Sequence, residues 1–191
     1  MHIKNKLEWL VLSSLSVLLS LIFLVILCTP CHAQVSLRET AEIYKRLYTK
    51  NHLPHPTLYL RDDLNINAAT YSTYIKVNKG ALIFLSKPEM AFVLSHELTH
   101  YQYRDARAIN NKVETIILKL THRYTSTYYE DRADYYGSEY AKNIGYSYKS
   151  QAHFFKTLEK YYGDQVILND VHSPDRVRAY NIIHHYKTFQ E

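Results

Sequence analysis

Cysteine and glycine are scarce in this 191-residue chain, which has two cysteines and four glycines. Cys28 and Cys31 both lie near the N-terminus, so the remainder of the chain can form neither a disulfide nor a cysteine-based metal site. Few glycines argue against long flexible lids, and we expect no large gating motion. The chain also lacks a dense run of lysine or arginine. This lack argues against nucleic acid as a partner.

The remaining composition is typical of one globular domain, because 47% of the residues are hydrophobic and 21% are charged. The modest formal charge of +5 fits a protein near an anionic membrane or cell envelope. The sequence has 19 tyrosines. We interpret them first as an aromatic core and rim, and second as the lining of a substrate cleft.

A basic start precedes the almost continuously apolar run Trp9–Leu27. Ala33 followed by Gln34 suits cleavage by a signal peptidase, whereas the apolar run is also long enough to span a bilayer. We therefore predict that residues 1–33 are either a cleaved signal peptide or a retained anchor that holds the protein to the membrane through residues 9–27. In both cases residues 34–191 lie outside the cytoplasm, as an exported (periplasmic or secreted) or membrane-anchored domain.

Hydrophobic spacing predicts an α+β fold that is dominated by helices. A capping box at Ser86 and Glu89 marks the start of a central helix, and its apolar first turns indicate burial on all sides. The predicted strands precede this helix and cover Leu58–Leu60, Tyr71–Val77 and Ala81–Leu85. The predicted helices cover Val35–Thr49, Met90–Arg104, Arg107–Leu120, Thr125–Ile144 and Ser150–Tyr162, with a last one from Ser173–Pro174 onward.

The central helix contains the run His96-Glu97-Leu98-Thr99-His100. Residues four apart lie one above the other on a helix, so both imidazoles can reach one metal ion. Glu97 is the next residue round the helix and can face a water molecule on that metal. Zinc lowers the pKa of such a water, and a carboxylate can then pass its proton to the leaving amine. We predict a zinc site with Glu97 as general base.

A third ligand is available in the stretch Glu130-Asp131-Arg132-Ala133-Asp134 on a later predicted helix. A catalytic zinc site uses three protein ligands, so we predict that Glu130 joins His96 and His100 around one zinc ion per chain. Asp134 lies on the same helix face and could hold a ligand histidine by a hydrogen bond. The alternative is a solvated, charged helix face without any metal.

These motifs together resemble the HtpX-like and CAAX prenyl endopeptidase family of zinc metallopeptidases, family M48. The lead-in is also similar, with Asn67-Ala68 followed by a strand, then Gly80 and another strand before the metal helix. His172 with Arg178 six residues on resembles a late element of that family, although Ser173 and not proline follows the histidine. The segment between His100 and Glu130 is short for the family.

The resemblance implies a zincin-like fold of gluzincin type, with His96, His100 and Glu130 as ligands and Glu97 as base. His172 could hydrogen-bond the oxyanion of the reaction, or it could be a histidine without chemistry before a helix. Arg178 could clamp Glu130 or a substrate carbonyl, or it could form a surface salt bridge.

We therefore predict a zinc-dependent metalloendopeptidase with protein or peptide substrates. A chaperone-like or binding module that keeps the zinc fold is the first alternative, although such a scaffold has no need to keep Glu97. A zinc hydrolase of another class is the second alternative, and the family resemblance argues against it.

Overall fold

The structure is a computed structural model that describes residues 35–106, 126–163 and 174–189. Six helices and three strands lie in these ranges and define an α+β architecture dominated by helices, as predicted. In chain order they are α1 (Leu37–Lys50), β1 (Thr57–Arg61), β2 (Ala68–Thr70), β3 (Tyr74–Asn78), α2 (Lys79–Phe84), α3 (Lys87–Tyr103), α4 (Ser126–Asn143), α5 (Tyr148–Tyr162) and α6 (Asp175–His184).

The three strands form one small sheet in the order β1-β3-β2. β1 runs parallel to β3, with Leu58 opposite Ile75, and β2 runs antiparallel to β3, with Ala69 opposite Lys76. The backbone N–H of Tyr71 donates to the carbonyl of Tyr74 and closes the turn between β2 and β3. Strand β2 thus lies at an edge of the sheet, where it packs against α3.

Helix α3 forms the centre of the described core. Every residue from Glu89 to Thr99 is buried, so the helix is enclosed on all sides as its apolar sequence predicted. Helices α1, α4 and α5 pack around it, and α4 makes the most extensive contact. The central helix therefore holds any functional side chain at its far end in a rigid setting.

The predicted strand Ala81–Leu85 is wrong, because the chain there forms the short helix α2. Ala81, Leu82 and Leu85 are buried, and a short apolar run of this kind fits a helical turn as well as a strand. Gly80, near the start of this helix, allows a close approach of the backbone. A Cβ atom at this position would lie 2.1 Å from the carbonyl oxygen of Leu64, so a preceding loop crosses directly over the helix start.

The other predicted elements in the described ranges are present, with ends shifted by a few residues. The strand predicted at Tyr71 begins at Tyr74, because the first residues form the hairpin turn. The predicted helix Arg107–Leu120 and the N-terminal segment 1–33 lie outside the described residues. In the ranges that the structure describes, no helix has the length and apolar character needed to cross a membrane.

A buried carboxylate ties the start of α3 to α5. Glu89 is 2% exposed, and one of its oxygens accepts hydrogen bonds of 2.6 Å from both the backbone N–H and the hydroxyl of Ser86. The other oxygen contacts Thr157 Oγ1 and His153 Nδ1 of α5. Burial alone would raise the pKa of Glu89, but these hydrogen bonds outweigh it and lower the pKa below its ordinary value.

We expect Glu89→Gln to lower the free energy of unfolding by about 1–3 kcal/mol at neutral pH. Both carboxylate oxygens of Glu89 accept hydrogen bonds, and in glutamine an NH₂ group that cannot accept takes the place of one of them. A lowered pKa in the folded state contributes stability above the ordinary carboxyl pKa, and that stability is lost as pH falls through the folded-state value. The difference between wild type and variant should therefore shrink on acidification. Denaturant titrations of both proteins from pH 7 to pH 3 measure it, and a difference that grows towards pH 3 contradicts the prediction.

Candidate metal centre

A glycine allows α4 to approach the backbone of α3 at the H-E-x-x-H run. A Cβ atom at Gly137 would lie 2.8 Å from the backbone nitrogen and 2.9 Å from the Cα of His96, which is closer than real Cβ contacts. Any larger residue would therefore push the two helices apart. This contact between helix backbones places Glu130, two turns earlier on α4, beside both histidines of α3.

Three side-chain donors converge at this crossing. His96 Nε2 lies 3.0 Å from His100 Nε2 and 3.2 Å from Glu130 Oε2, and His100 Nε2 lies 3.5 Å from Glu130 Oε1. Around a tetrahedral zinc ion with bonds of about 2.0–2.1 Å, ligand atoms stand about 3.3 Å apart. The three donors therefore fit three corners of a zinc tetrahedron, and among the residues that the structure describes no fourth histidine or acidic side chain joins the cluster.

Each imidazole is held from its other ring nitrogen by a buried aspartate. His96 Nδ1 lies 2.9 Å from Asp134 Oδ1, and His100 Nδ1 lies 2.8 Å from Asp105 Oδ2. Arg178 donates to both oxygens of Asp134, at 2.7 and 2.8 Å. Because these aspartates use the Nδ1 atoms, both Nε2 atoms face the Glu130 carboxylate. Histidine ligands of a metal are commonly held in this way.

The electrostatics also fit a divalent cation. Burial lowers the pKa of His100, but hydrogen bonds to Asp105 and Glu130 outweigh it and raise the pKa to about 10. The pKa of His96 is raised in the same way, against its burial, by Asp134 and Glu130. Burial would raise the pKa of Asp134, but the charge of Arg178 lowers it to about 2. The carboxylates thus favour positive charge on the imidazoles, and a bound metal would replace those protons.

A count of charges leads to the same conclusion. With neutral imidazoles and ionised carboxylates, the groups around the donors carry more negative than positive charge, which favours a bound cation. The groups counted are the carboxylates of Glu97, Asp105, Glu130 and Asp134 and the guanidinium groups of Arg132 and Arg178.

Glu97 lies beside the three donors without joining them. Its side chain reaches the edge strand β2, where Thr70 Oγ1 lies 2.7 Å from Glu97 Oε2 and 2.7 Å from the Glu97 carbonyl oxygen. Since a hydroxyl has one proton, it can donate to only one of these oxygens at a time. Either hydrogen bond joins α3 to the sheet, and the one to Oε2 orients the Glu97 carboxylate.

A cleft of about 460 Å³ opens onto the donors. Strand β2 forms one side of it, and apolar residues of α3 and α5 form much of the other. On α5 these residues are four apart and so share one face: Phe154, Leu158 and Tyr162. The Tyr162 hydroxyl accepts a 2.6 Å hydrogen bond from the backbone N–H of Ile66, which closes this wall against the loop before β2.

The structure brings together six of the seven residues that the sequence singles out. His96, His100 and Glu130 converge, Glu97 borders them, and Asp134 and Arg178 support His96. Arg178 is buried and pairs mainly with Asp134, so the interpretation as a surface salt bridge is wrong; its distance to Glu130 is 4.0 Å. His172 lies outside the described residues, and its role stays a prediction.

Three residues of the site escape the sequence interpretation: Thr70, Asp105 and Arg132. Asp105 follows the second histidine by five residues, a spacing at which a continuous helix would point it elsewhere. Arg132 stands inside the charged stretch that contains Glu130, where a solvated arginine is the ordinary expectation. Thr70 ends a three-residue strand that carries no signal of its own.

Comparison with known proteins supports a metallopeptidase. Residues 36–120, which begin just before α1 and continue beyond the end of α3, match the model of Peptidase family M48. The matched segment contains His96, Glu97 and His100 but ends before Glu130, so the tertiary structure supplies that donor independently of the match. Among curated proteins, none matches the chain.

Proposed function

We propose that this protein is a zinc-dependent metalloendopeptidase, in which His96, His100 and Glu130 bind one zinc ion and Glu97 is the general base. The observation that carries the proposal is the convergence of two imidazoles and one carboxylate at distances of a zinc tetrahedron, with a further carboxylate beside them. Three protein donors and one open corner are typical of catalytic sites and not of closed structural ones.

When bound, the zinc ion would supply Lewis acidity and lower the pKa of a water molecule towards ~7. Glu97 accepts the proton of the attacking water and passes it to the nitrogen of the leaving amine. A hydrogen bond from Thr70 to Oε2 orients the Glu97 carboxylate for this transfer. Asp134 and Arg178 keep His96 oriented, and His172 is retained as a candidate hydrogen-bond donor to the oxyanion.

The cleft favours an extended peptide as substrate. Strand β2 pairs with β3 on one side only among the described residues, and its residues Ala68, Ala69 and Thr70 line the cleft. A strand edge in this position can pair with the backbone of an added chain. The apolar wall of α5 beside it offers space for a bulky apolar side chain, so we expect cleavage next to such residues.

Within family M48, we propose the HtpX-like and CAAX prenyl endopeptidase group. The sequence Glu130-x-x-Ala133-Asp134 supports this assignment, since both acidic side chains reach the histidines of α3. Arg178 supports it as well, because it holds Asp134.

Metal removal tests the proposed activity. We expect the purified protein to contain about one zinc per chain, to cleave members of a broad peptide library, and to lose cleavage on chelation. Stoichiometric zinc should restore cleavage, whereas calcium should not, because it prefers six to eight oxygen ligands. Full zinc content without cleavage of any peptide would instead favour the binding module.

We further propose that the protein is exported, with the domain outside the cytoplasm, on the basis of the basic start and the apolar run Trp9–Leu27. Cell fractionation with N-terminal sequencing tests this. A mature protein that begins near Gln34 indicates a cleaved signal peptide, and a full-length protein extracted from membranes indicates an anchor. A soluble cytoplasmic protein that retains residues 1–33 contradicts both.

A further inference from the structure

Asp105 reaches His100 only because the chain turns sharply after α3. In a continuous helix, residue 105 would lie about 140° around the axis from residue 100. Arg104 adopts a left-handed conformation, with φ of 59°, which is uncommon for a residue with a side chain. This turn directs Asp105 back onto the last turn of α3, where it is 3% exposed and lies 2.8 Å from His100 Nδ1.

Arg132 of α4 holds the second oxygen of Asp105. Its side chain is only 12% exposed, and its guanidinium carbon lies 4.0, 5.2 and 5.4 Å from the ring centres of Tyr103, Tyr128 and Tyr129. We call these three rings the tyrosine cage. A planar guanidinium stacks on such rings while its N–H groups remain directed at a carboxylate. The cage therefore fixes Arg132, and Arg132 fixes Asp105.

The same arrangement occurs at the other imidazole. His96 contacts Asp134, and Asp134 is clamped by Arg178, whose guanidinium lies 5.0 Å from the ring centre of Phe155. Each imidazole of the site is thus held by an aspartate, and each aspartate by an arginine that contacts at least one aromatic ring. Burying an aspartate and an arginine beside each histidine has a high desolvation cost. That this occurs at both histidines indicates that the two pairs have the same role in orienting the imidazole rings.

We infer that Asp105 and Arg132 are positioning residues for the metal centre. They hold the His100 ring so that Nε2 faces the metal, as Asp134 and Arg178 do for His96. The inference rests on the proposed zinc site. It predicts that Asp105→Ala weakens zinc binding about 10–100-fold, the usual effect of removing a partner that orients a ligand.

The test measures the metal directly, apart from activity. Zinc affinity of the purified full-length protein is determined by competition with a chromophoric chelator, and the ligand field is read from the visible spectrum of the cobalt-substituted protein. Asp105→Ala should lose affinity and change the cobalt spectrum. Asp105→Asn should recover much of the affinity, because its carbonyl oxygen can still accept from Nδ1–H. Arg132→Gln should weaken zinc binding less than Asp105→Ala does.

Glu89→Ala is the matched control. Glu89 is also a buried carboxylate on α3 that contacts a histidine Nδ1, but it lies at the opposite end of the helix from the metal site. We expect this variant to be less stable than wild type and to bind zinc with unchanged affinity. If Asp105→Ala fails to fold, the affinity and cobalt spectrum of Arg132→Gln relative to Glu89→Ala decide the question.

The inference is overturned if Asp105→Ala binds zinc as tightly as Glu89→Ala and gives the wild-type cobalt spectrum, or, where Asp105→Ala does not fold, if Arg132→Gln does so. That result leaves the proposed function intact, because the wild type would still bind zinc and cleave peptides. A wild type that binds no zinc has a different meaning, since it overturns the proposed metal site itself.

Discussion

The Glu97→Gln variant is expected to bind zinc as the wild type does and to cleave peptides about 10²–10⁴-fold more slowly. Glu97 lies one residue from His96, so on a helix it is rotated by about 100° from that donor and leaves the three donor atoms undisturbed. Glutamine keeps the size of the side chain and can still accept from Thr70, which lies 2.7 Å from Glu97 Oε2. The substitution removes only the carboxylate that can accept a proton from water. The rate decrease should therefore appear in kcat, with substrate binding largely preserved.

Glu89→Gln is the control for this experiment, because it makes the same chemical change at another buried position of α3. It should lower stability without changing the rate of cleavage per folded molecule. Zinc content and thermal denaturation of both variants separate loss of chemistry from loss of fold. Cleavage at the wild-type rate in Glu97→Gln would show that the activity belongs to a different site or to a contaminant.

Replacement of Glu130 by alanine is expected to reduce bound zinc from about one ion per chain to near background under moderate chelation. Its carboxylate supplies the third donor, at 3.2 Å from His96 Nε2 and 3.5 Å from His100 Nε2. Removal leaves two imidazoles, and it also takes away one of the charges that favour a cation in the cluster. Cleavage should be lost together with the metal.

Metal analysis after gel filtration in a weak chelator measures this effect. Glu139→Ala is a suitable control, because Glu139 is also on α4 but does not line the cleft. We expect that variant to keep both zinc and activity. Full zinc occupancy in Glu130→Ala would assign the third ligand to another residue.

Several features of this protein follow from local sequence alone. The capping box at Ser86 and Glu89 starts α3 where predicted, because its hydrogen bonds join residues three apart. The four-residue spacing of His96 and His100 places both rings on one face, since helix geometry determines that arrangement without any other contact. The helix-dominated α+β class also follows, because long periodic segments define most elements.

Only the tertiary structure determined the conformation of short segments and the contacts between residues that are distant in the sequence. The run Ala81–Leu85 has a pattern that fits both a strand and a helix, and only the folded chain shows that it forms a helix, with a loop passing close to Gly80. Asp105 holds His100 through one left-handed residue, Arg104, which periodicity does not signal.

The partner of Arg178 was likewise decided by the packing of α6 against α4, 44 residues away in sequence. The physical reason is range. Hydrogen bonds and side-chain spacing within a helix depend on residues that are close in the sequence. A buried carboxylate instead pairs with a cationic side chain that helix packing places within about 3 Å of it, however distant in the sequence. The sequence by itself therefore determined the two histidines and the general base of the candidate site, and the folded chain determined what surrounds and orients them.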